Sequence, residues 1–111
     1  MHLAPLDAVF SALSDPTRRK MLERLARGPL TVAETAAGFP ISQPAASKHI
    51  KVLEASGLVQ RSVAGRVHHL RIKPEAMRGA ATWIERQRKF WGSALDKLDD
   101  VLRDSTRKAK Q

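Results

Sequence analysis

The most informative part of this chain runs from Ile41 to Val59 and reads ISQPAASKHIKVLEASGLV. It begins with Ser42, whose hydroxyl can accept a hydrogen bond from a free backbone N–H at the start of a helix. Apolar residues then recur at the i, i+4 and i+7 spacing that places side chains on one helix face, at Ala46, Ile50 and Leu53. The pattern predicts a helix over about residues 42–56 with that face in a core.

The opposite face of this helix is polar and basic. It carries Gln43, Ser47, Lys48 and Lys51. Short side chains allow close approach to a nucleic acid, Ser and Gln can bond to base edges, and Lys can bond to phosphate. An ordinary solvated helix face is also polar, so this pattern alone leaves that alternative open. The segment is therefore a candidate recognition helix, one that enters the major groove of DNA.

The residues before this helix predict three further helices. Apolar side chains recur at helical spacing between Leu6 and Leu13, and Asp15-Pro16 can cap and begin a second helix. Thr31 and Glu34 have the spacing of a capping box and predict a short third helix. A short helix, a turn and a second helix with a polar outer face form a helix-turn-helix.

The residues after the candidate recognition helix predict a β-hairpin, or wing, over about residues 58–72. Its turn is predicted at Ala64-Gly65, since Gly can take a positive φ. Arg61 and Arg66 lie near that turn, where their side chains can reach DNA phosphates.

Charge and composition limit the classes of function. The 111 residues include 20 Lys and Arg against 11 Asp and Glu, and this net charge of +9 favours a polyanionic partner such as double-stranded DNA. Between residues 41 and 73, six Lys and Arg against one acidic residue place +5 of that charge on the candidate recognition helix and wing. Without Cys, the chain has no disulfide or thiolate chemistry. No leader and no membrane span are evident, so we expect a cytoplasmic protein without a membrane partner.

The sequence shows no pattern of catalytic or cofactor-binding residues. It lacks a carboxylate cluster beside a His, a Gly-rich phosphate loop and a nucleophile elbow, so we predict no enzyme and no cofactor. His68 and His69 come nearest to a metal pair, but adjacent residues of a strand point to opposite faces. We therefore predict no metal site there, with one of the two side chains packed and the other exposed.

The longest predicted helix covers about residues 75–102. An apolar residue recurs in it at every seventh position, at Met77, Ile84, Trp91 and Leu98. With the other apolar side chains beside it, this stripe is wider than one small domain needs and predicts a partner helix. Gly92 lies in mid-helix, where Gly costs about 1 kcal/mol relative to Ala. The close approach of another backbone would explain it.

Together these elements predict a chain that is mainly α with a small β-hairpin. We expect one winged helix-turn-helix domain over residues 1–102, with a long C-terminal dimerisation helix. The polar and basic residues 103–111 are predicted to form a disordered tail.

Several of these segments resemble the arsenic-repressor-like (ArsR) family of winged-helix regulators. The motifs that carry the resemblance occur in the family's order and are Asp15-Pro16-Thr17-Arg18-Arg19, Leu30 to Glu34, Ser42 to Leu53 and Gly57-Leu58-Val59. The resemblance implies a homodimeric bacterial repressor that binds an inverted-repeat operator, with the first and last helices at the dimer interface. Metal sensors of the family carry a cysteine pair in the helix that here reads Val32-Ala33-Glu34-Thr35-Ala36. This chain therefore resembles a cysteine-free branch without the metal-sensing motif.

The resemblance also implies which residues meet each partner. Expected DNA contacts are Arg61 and Arg66 in the wing and Ser42, Gln43, Ala45, Ser47, Lys48 and His49 in the recognition helix, to which the polar face adds Lys51. For His49 a packing or capping role competes evenly with a phosphate contact. Expected dimer contacts are Leu6, Phe10, Ile84, Trp91, Leu95 and Leu98.

One alternative function is a winged-helix module that binds another protein through the same surface. The basic face argues against it, because protein interfaces tend to be depleted in Lys. A small-molecule effector stays unknown: Trp83, Phe90 and Trp91 could line a ligand pocket between dimer helices, but a hydrophobic interface is the simpler account.

Overall fold

The computed structural model describes residues 5–110, with side chains through residue 108. Residues 1–4 and 111, which the predicted domain and tail include, lie outside the described residues. The described elements follow in the order α1 (Pro5–Leu13), α2 (Pro16–Leu25), β1 (Leu30–Thr31), α3 (Val32–Ala36), α4 (Gln43–Ala55), β2 (Val59–Ala64), β3 (Val67–Ile72) and α5 (Pro74–Lys110).

The predicted caps begin three of the helices. The Asp15 carboxylate accepts the backbone N–H three residues further on at 3.0 Å, and the Ser42 hydroxyl does the same at 3.2 Å. Thr31 and Glu34 form the reciprocal capping box, in which the Thr31 N–H donates to the Glu34 carboxylate at 2.9 Å and the Glu34 N–H to the Thr31 hydroxyl at 3.1 Å. The Thr31 N–H thereby lowers the pKa of Glu34. These local hydrogen bonds fix where α2, α3 and α4 start.

The core lies between α1, α2, α4 and the base of the wing. As predicted, α4 buries Ala46, Ile50 and Leu53. They join a cluster that includes Met21, Leu22, Leu25, Leu58 and Leu70. The predicted winged helix-turn-helix is confirmed, with α3 and α4 as its two helices and β2–β3 as its wing.

The sheet has one strand more than the predicted hairpin. Its order is β1-β3-β2, and both pairings are antiparallel. β1 has only two residues and is held by the pairing of Leu30 with Leu70. The predicted turn was misplaced by one residue: Ala64 pairs with Val67, so the turn lies at Gly65-Arg66, where Gly65 takes a φ of +65°.

The last helix is longer than predicted and continues through residues 103–110, for which we expected a disordered tail. Helix α5 continues to Lys110 without a break. Arg, Lys and Ala favour helix, and basic residues near a helix C-terminus suit the helix dipole.

The chain divides into two compact units, the first ending at Ala80 and the second beginning at Ala81. The single domain expected over residues 1–102 stays a prediction. The hydrophobic core belongs to the first unit, and the described second unit is the remainder of α5. Among the described helices, none has both the length and the apolar character needed to span a membrane.

Candidate nucleic-acid interface

The outer face of α4 exposes most of the predicted DNA-contacting side chains. Gln43, Ser47, Lys48 and Lys51 are exposed. Within residues 5–108 these four side chains make no hydrogen bond or ion pair, so their polar groups are available to a ligand. Ser42 is exposed too, but its hydroxyl already accepts the Ala45 N–H as the helix cap.

A groove of about 610 Å³ separates α4 from the wing. Gln43 and Ser47 line it on the α4 side, and Arg66 lines it on the wing side. The complete lining is Thr31, Val32, Ala33, Ala36, Gln43, Ala46, Ser47, Arg61, Arg66, Val67 and His68. The structure thus brings two candidate base-reading residues and two wing arginines around one groove. Lys48 and Lys51 do not line it.

The two wing arginines differ in their surroundings. Arg66 is exposed at the turn and has no hydrogen-bond or ion-pair partner among the described side chains. Arg61 is half-buried and is bound to Glu54 on α4 at 2.7 Å. The chain therefore leaves the guanidinium of Arg66 available to a phosphate but engages that of Arg61.

His49 takes part in a polar cluster inside the first unit. Its Nδ1 lies 3.1 Å from Arg18 Nη1 and 3.8 Å from Asp15 Oδ2. The Arg18 guanidinium also donates to the carbonyls of Ala12 at 2.8 Å and Ser11 at 2.9 Å. This geometry favours the packing role that the sequence left open for His49, because its ring is bound to α2.

The same cluster lowers the pKa of Asp15. The main cause is the hydrogen bond from the Arg18 backbone N–H; burial opposes it, and the charges of His49 and Arg18 add to it. Sequence reasoning missed Arg18 as an organising residue. Its position just after the Asp15-Pro16 cap could have drawn attention to Arg18. Its partner His49 is 31 positions away in the sequence and could not be inferred from spacing.

A second arginine that sequence reasoning missed holds the turn of the helix-turn-helix. Arg24 Nη1 donates to the carbonyl oxygens of Thr35 at 3.1 Å and Ala37 at 2.6 Å, where α3 ends. Its guanidinium also lies 4.3 Å from the centre of the Phe39 ring. These contacts satisfy carbonyls that the end of a helix leaves unpaired, and they fix the path of the chain towards α4.

The predicted dimer residues fall into two groups. Ile84, Trp91, Leu95 and Leu98 are exposed along α5 in the second unit. Leu6 and Phe10 of α1 are partly buried against the core of the first unit. The α5 side chains are therefore exposed in a single chain, whereas the α1 side chains are already partly buried in it.

The histidine pair adopts the predicted arrangement. His68 is exposed and His69 is half-buried on adjacent positions of β3. Within the part of the chain that the structure describes, no three His, Cys, Asp or Glu side chains lie close enough together to hold a metal ion.

Comparison with known proteins identifies relatives of this chain. Residues 13–61 match a family model described as a helix-turn-helix domain. The chain is 42% identical over 89 residues to the HTH-type transcriptional regulator Rv2034 of Mycobacterium tuberculosis, a match that covers 80% of each chain. It is 30% identical over 79 residues to the transcriptional repressor SdpR of Bacillus subtilis, covering 71% of this chain and 88% of that relative.

A solved structure shows the same fold. The crystal structure of an ArsR family transcriptional regulator, RHA00566, superposes with a TM-score of 0.76 at 40% sequence identity. The superposition covers 80% of this chain and 98% of the other.

Proposed function

The chain belongs to the ArsR family of winged helix-turn-helix transcriptional regulators, and from this premise we propose that it is a homodimeric repressor of an inverted-repeat operator. The family consists of DNA-binding regulators and not of enzymes, which confirms the prediction that this chain is not an enzyme. SdpR, which is named a transcriptional repressor, supports the direction of regulation. Because its target is DNA, we propose that the protein acts in the cytoplasm.

The observation that carries the proposal is the exposed polar face of α4 beside the wing. Gln43 and Ser47 have available hydrogen-bonding groups and line the groove that Arg66 also lines. We propose that Gln43 and Ser47 bond to base edges in the major groove, while Lys48, Lys51 and Arg66 bond to phosphates. Ser42 contributes chiefly as the cap that orients the helix.

The unburied face of α5 supports the proposed homodimer. The side chains of Ile84, Trp91, Leu95 and Leu98 are exposed in one chain and would be covered by a second copy. Two recognition helices would then lie about 34 Å apart, one turn of DNA, or a multiple of that distance, and would read the two halves of an inverted repeat. Phosphate contacts would supply most of the affinity and make it fall steeply with salt.

The proposal is tested by fluorescence anisotropy with DNA from upstream of the protein's own gene and with the scrambled sequence, across a salt series. We expect the unchanged protein to prefer its operator by about 10³-fold or more. Gln43→Ala should weaken operator binding by about 1–3 kcal/mol and leave scrambled DNA unaffected. Arg66→Ala should weaken both DNAs alike and reduce the salt dependence by about one phosphate contact.

Matched controls separate these effects from general damage. Gln60→Ala makes the same change at an exposed wing position that does not line the groove. It frees Arg71 from its 2.6 Å hydrogen bond to Gln60, so any change in affinity should be equal on the two DNAs. Arg86→Ala removes the same charge from α5 in the second unit. Equal losses on both DNAs for Gln43→Ala would contradict the base-reading role. Equal affinity of the unchanged protein for every DNA tested would favour a module that binds another protein.

A further inference from the structure

A chain of three side chains joins the recognition helix to both strands of the wing. Glu54 lies in the last turn of α4, Arg61 on β2 and His68 on β3. Arg61 Nη2 donates to Glu54 Oε1 at 2.7 Å, and Arg61 Nε donates to Glu54 Oε2 at 3.2 Å. Two parallel N–H···O bonds hold the carboxylate in a fixed orientation that a single contact would not give.

The third member of the chain accepts from the same guanidinium. Arg61 Nη1 lies 3.1 Å from His68 Nδ1. Because arginine can only donate, Nδ1 must be the acceptor, and the ring proton of the neutral imidazole is then on Nε2. Arg61 pairs with Leu70 in the sheet, so His68 lies two residues nearer the turn and on the same face of the wing.

These contacts change the role expected of Arg61. Three of its five N–H groups are directed at Glu54 and His68, and its side chain is only 28% exposed. Glu54 is also the one acidic residue among the six basic residues between positions 41 and 73. An acidic side chain on a DNA-binding surface repels phosphates, so an unpaired Glu54 would weaken DNA binding.

We propose that Arg61 is a positioning residue which, through Glu54 and His68, sets the wing at a fixed angle to the recognition helix. The angle lets Arg66 meet a phosphate while Gln43 meets a base, so operator affinity depends on a carboxylate that touches no DNA. This inference rests on the proposed function, and it assigns to Glu54 and Arg61 a contribution to specificity rather than to general affinity.

The test asks whether a substitution at Glu54 strengthens or weakens binding to the operator. Glu54→Gln removes a negative charge from a surface that meets DNA, and electrostatics alone would strengthen binding to every DNA. If Glu54 positions the wing, the same variant instead weakens operator binding, by about tenfold, while affinity for scrambled DNA stays equal or rises. Glu23→Gln is the matched control, because it removes the same charge from an exposed position on α2 that has no partner among the described residues.

Arg61→Lys provides the second arm. Lysine keeps the charge but cannot make the two parallel hydrogen bonds that the guanidinium makes to Glu54. We therefore expect a loss of operator affinity similar to that of Glu54→Gln, with an unchanged salt dependence. The double variant Glu54→Gln/Arg61→Lys should bind the operator no more weakly than either single variant, because both changes break one interaction. His68→Phe, which keeps a ring but removes the acceptor, should cause a smaller loss of about threefold.

Thermal unfolding of each variant shows whether the fold is intact. Should the Arg61 variants unfold, the Glu54→Gln and His68→Phe proteins still test the inference. Tighter binding of Glu54→Gln to both DNAs would overturn it, as would additive losses in the double variant. A failure of the unchanged protein to prefer its operator would instead count against the proposed function, so the two failures are distinguishable.

Discussion

The recognition helix α4 exposes a polar surface, whereas the second unit exposes an apolar one. In α4, Ile50 and Leu53 are 0% exposed, and the outward side chains are polar. In α5 beyond Ala81, Phe90 is 82% exposed and Trp91 56% exposed. The apolar side chains of α4 are buried within its own chain, and its outer face is available to a polar ligand. Those of α5 are still exposed, and an apolar surface of this extent is typical of a binding interface.

The two surfaces should respond differently to protein concentration. Full burial of one large apolar side chain contributes about 1.5–3 kcal/mol. For Ile50 and Leu53 that contribution is present in every folded chain. For the α5 side chains it arises only when another surface covers them, so it grows with the concentration of the partner. Breaking each surface therefore gives effects that can be told apart.

The largest effect is expected at Leu95. Leu95→Asp places a charge in the exposed stripe of α5, where a second copy would have to bury it. We expect a monomer at micromolar concentration in sedimentation experiments. Operator affinity should fall by about 100-fold or more, because a monomer engages one half-site without the gain from two linked sites.

Ser93→Asp is the matched control for Leu95→Asp. It introduces the same side chain two positions earlier, which lies on the other side of an α-helix with 3.6 residues per turn. This variant should remain dimeric and bind the operator as the unchanged protein does. A dimeric Leu95→Asp protein would show that the stripe is not the dimer interface.

A smaller effect is expected at Asp15, which contacts the recognition helix from within the first unit. Asp15→Ala removes the cap of α2 and should lower the free energy of unfolding by about 1 kcal/mol at neutral pH. Asp15→Asn keeps a capping oxygen and should cost less. Neither loss should depend on protein concentration, in contrast with Leu95→Asp.

The charge of Asp15 adds a dependence on pH. Its pKa in the folded protein lies below the ordinary value of 3.8, chiefly because the Arg18 N–H donates to the carboxylate. The folded state therefore favours the ionised form, and this stabilisation is present above the unfolded pKa and lost as the pH falls through the folded one. The advantage of the unchanged protein over Asp15→Asn should shrink below about pH 4 in urea unfolding curves. An advantage that stays constant to lower pH would exclude this origin.

Sequence patterns predicted the local features of both regions but not their distant contacts. The Ser42 cap, the capping box at Thr31 and the inward face of α4 depend on residues within one or two helical turns, and all were predicted. The strand β1 has two residues, too few to show alternation, and depends on pairing with Leu70 forty positions away. The bonds of Arg61 to Glu54 and His68 also depend on the fold, so a spacing rule identified the arginine but not its partners.

The end of α5 was missed for a different reason. The polar composition of residues 103–110 was interpreted as a disordered tail, although no Gly or Pro interrupts the helix there. The residue types of the candidate site were thus predictable from the sequence. Which of these side chains are bound to other residues of the chain was not. Among the described residues the Arg66 side chain has no partner, whereas that of Arg61 is bound to Glu54 and His68, although both are arginines near one turn.

The smallest effect is expected at Gly92, where one substitution should raise helix content and yet weaken dimerisation. In the described chain nothing lies within 4 Å of a Cβ built at this position, so within one chain Ala fits and should stabilise the helix by about 1 kcal/mol. If the helix of a second copy crosses here, the added methyl group keeps the two backbones apart. We expect Gly92→Ala to raise the helix content of the monomer and to weaken dimerisation a few-fold. Gly79→Ala, in the same helix and with the same open space, should raise helix content without changing dimerisation. A tighter Gly92→Ala dimer would place the crossing elsewhere along the stripe.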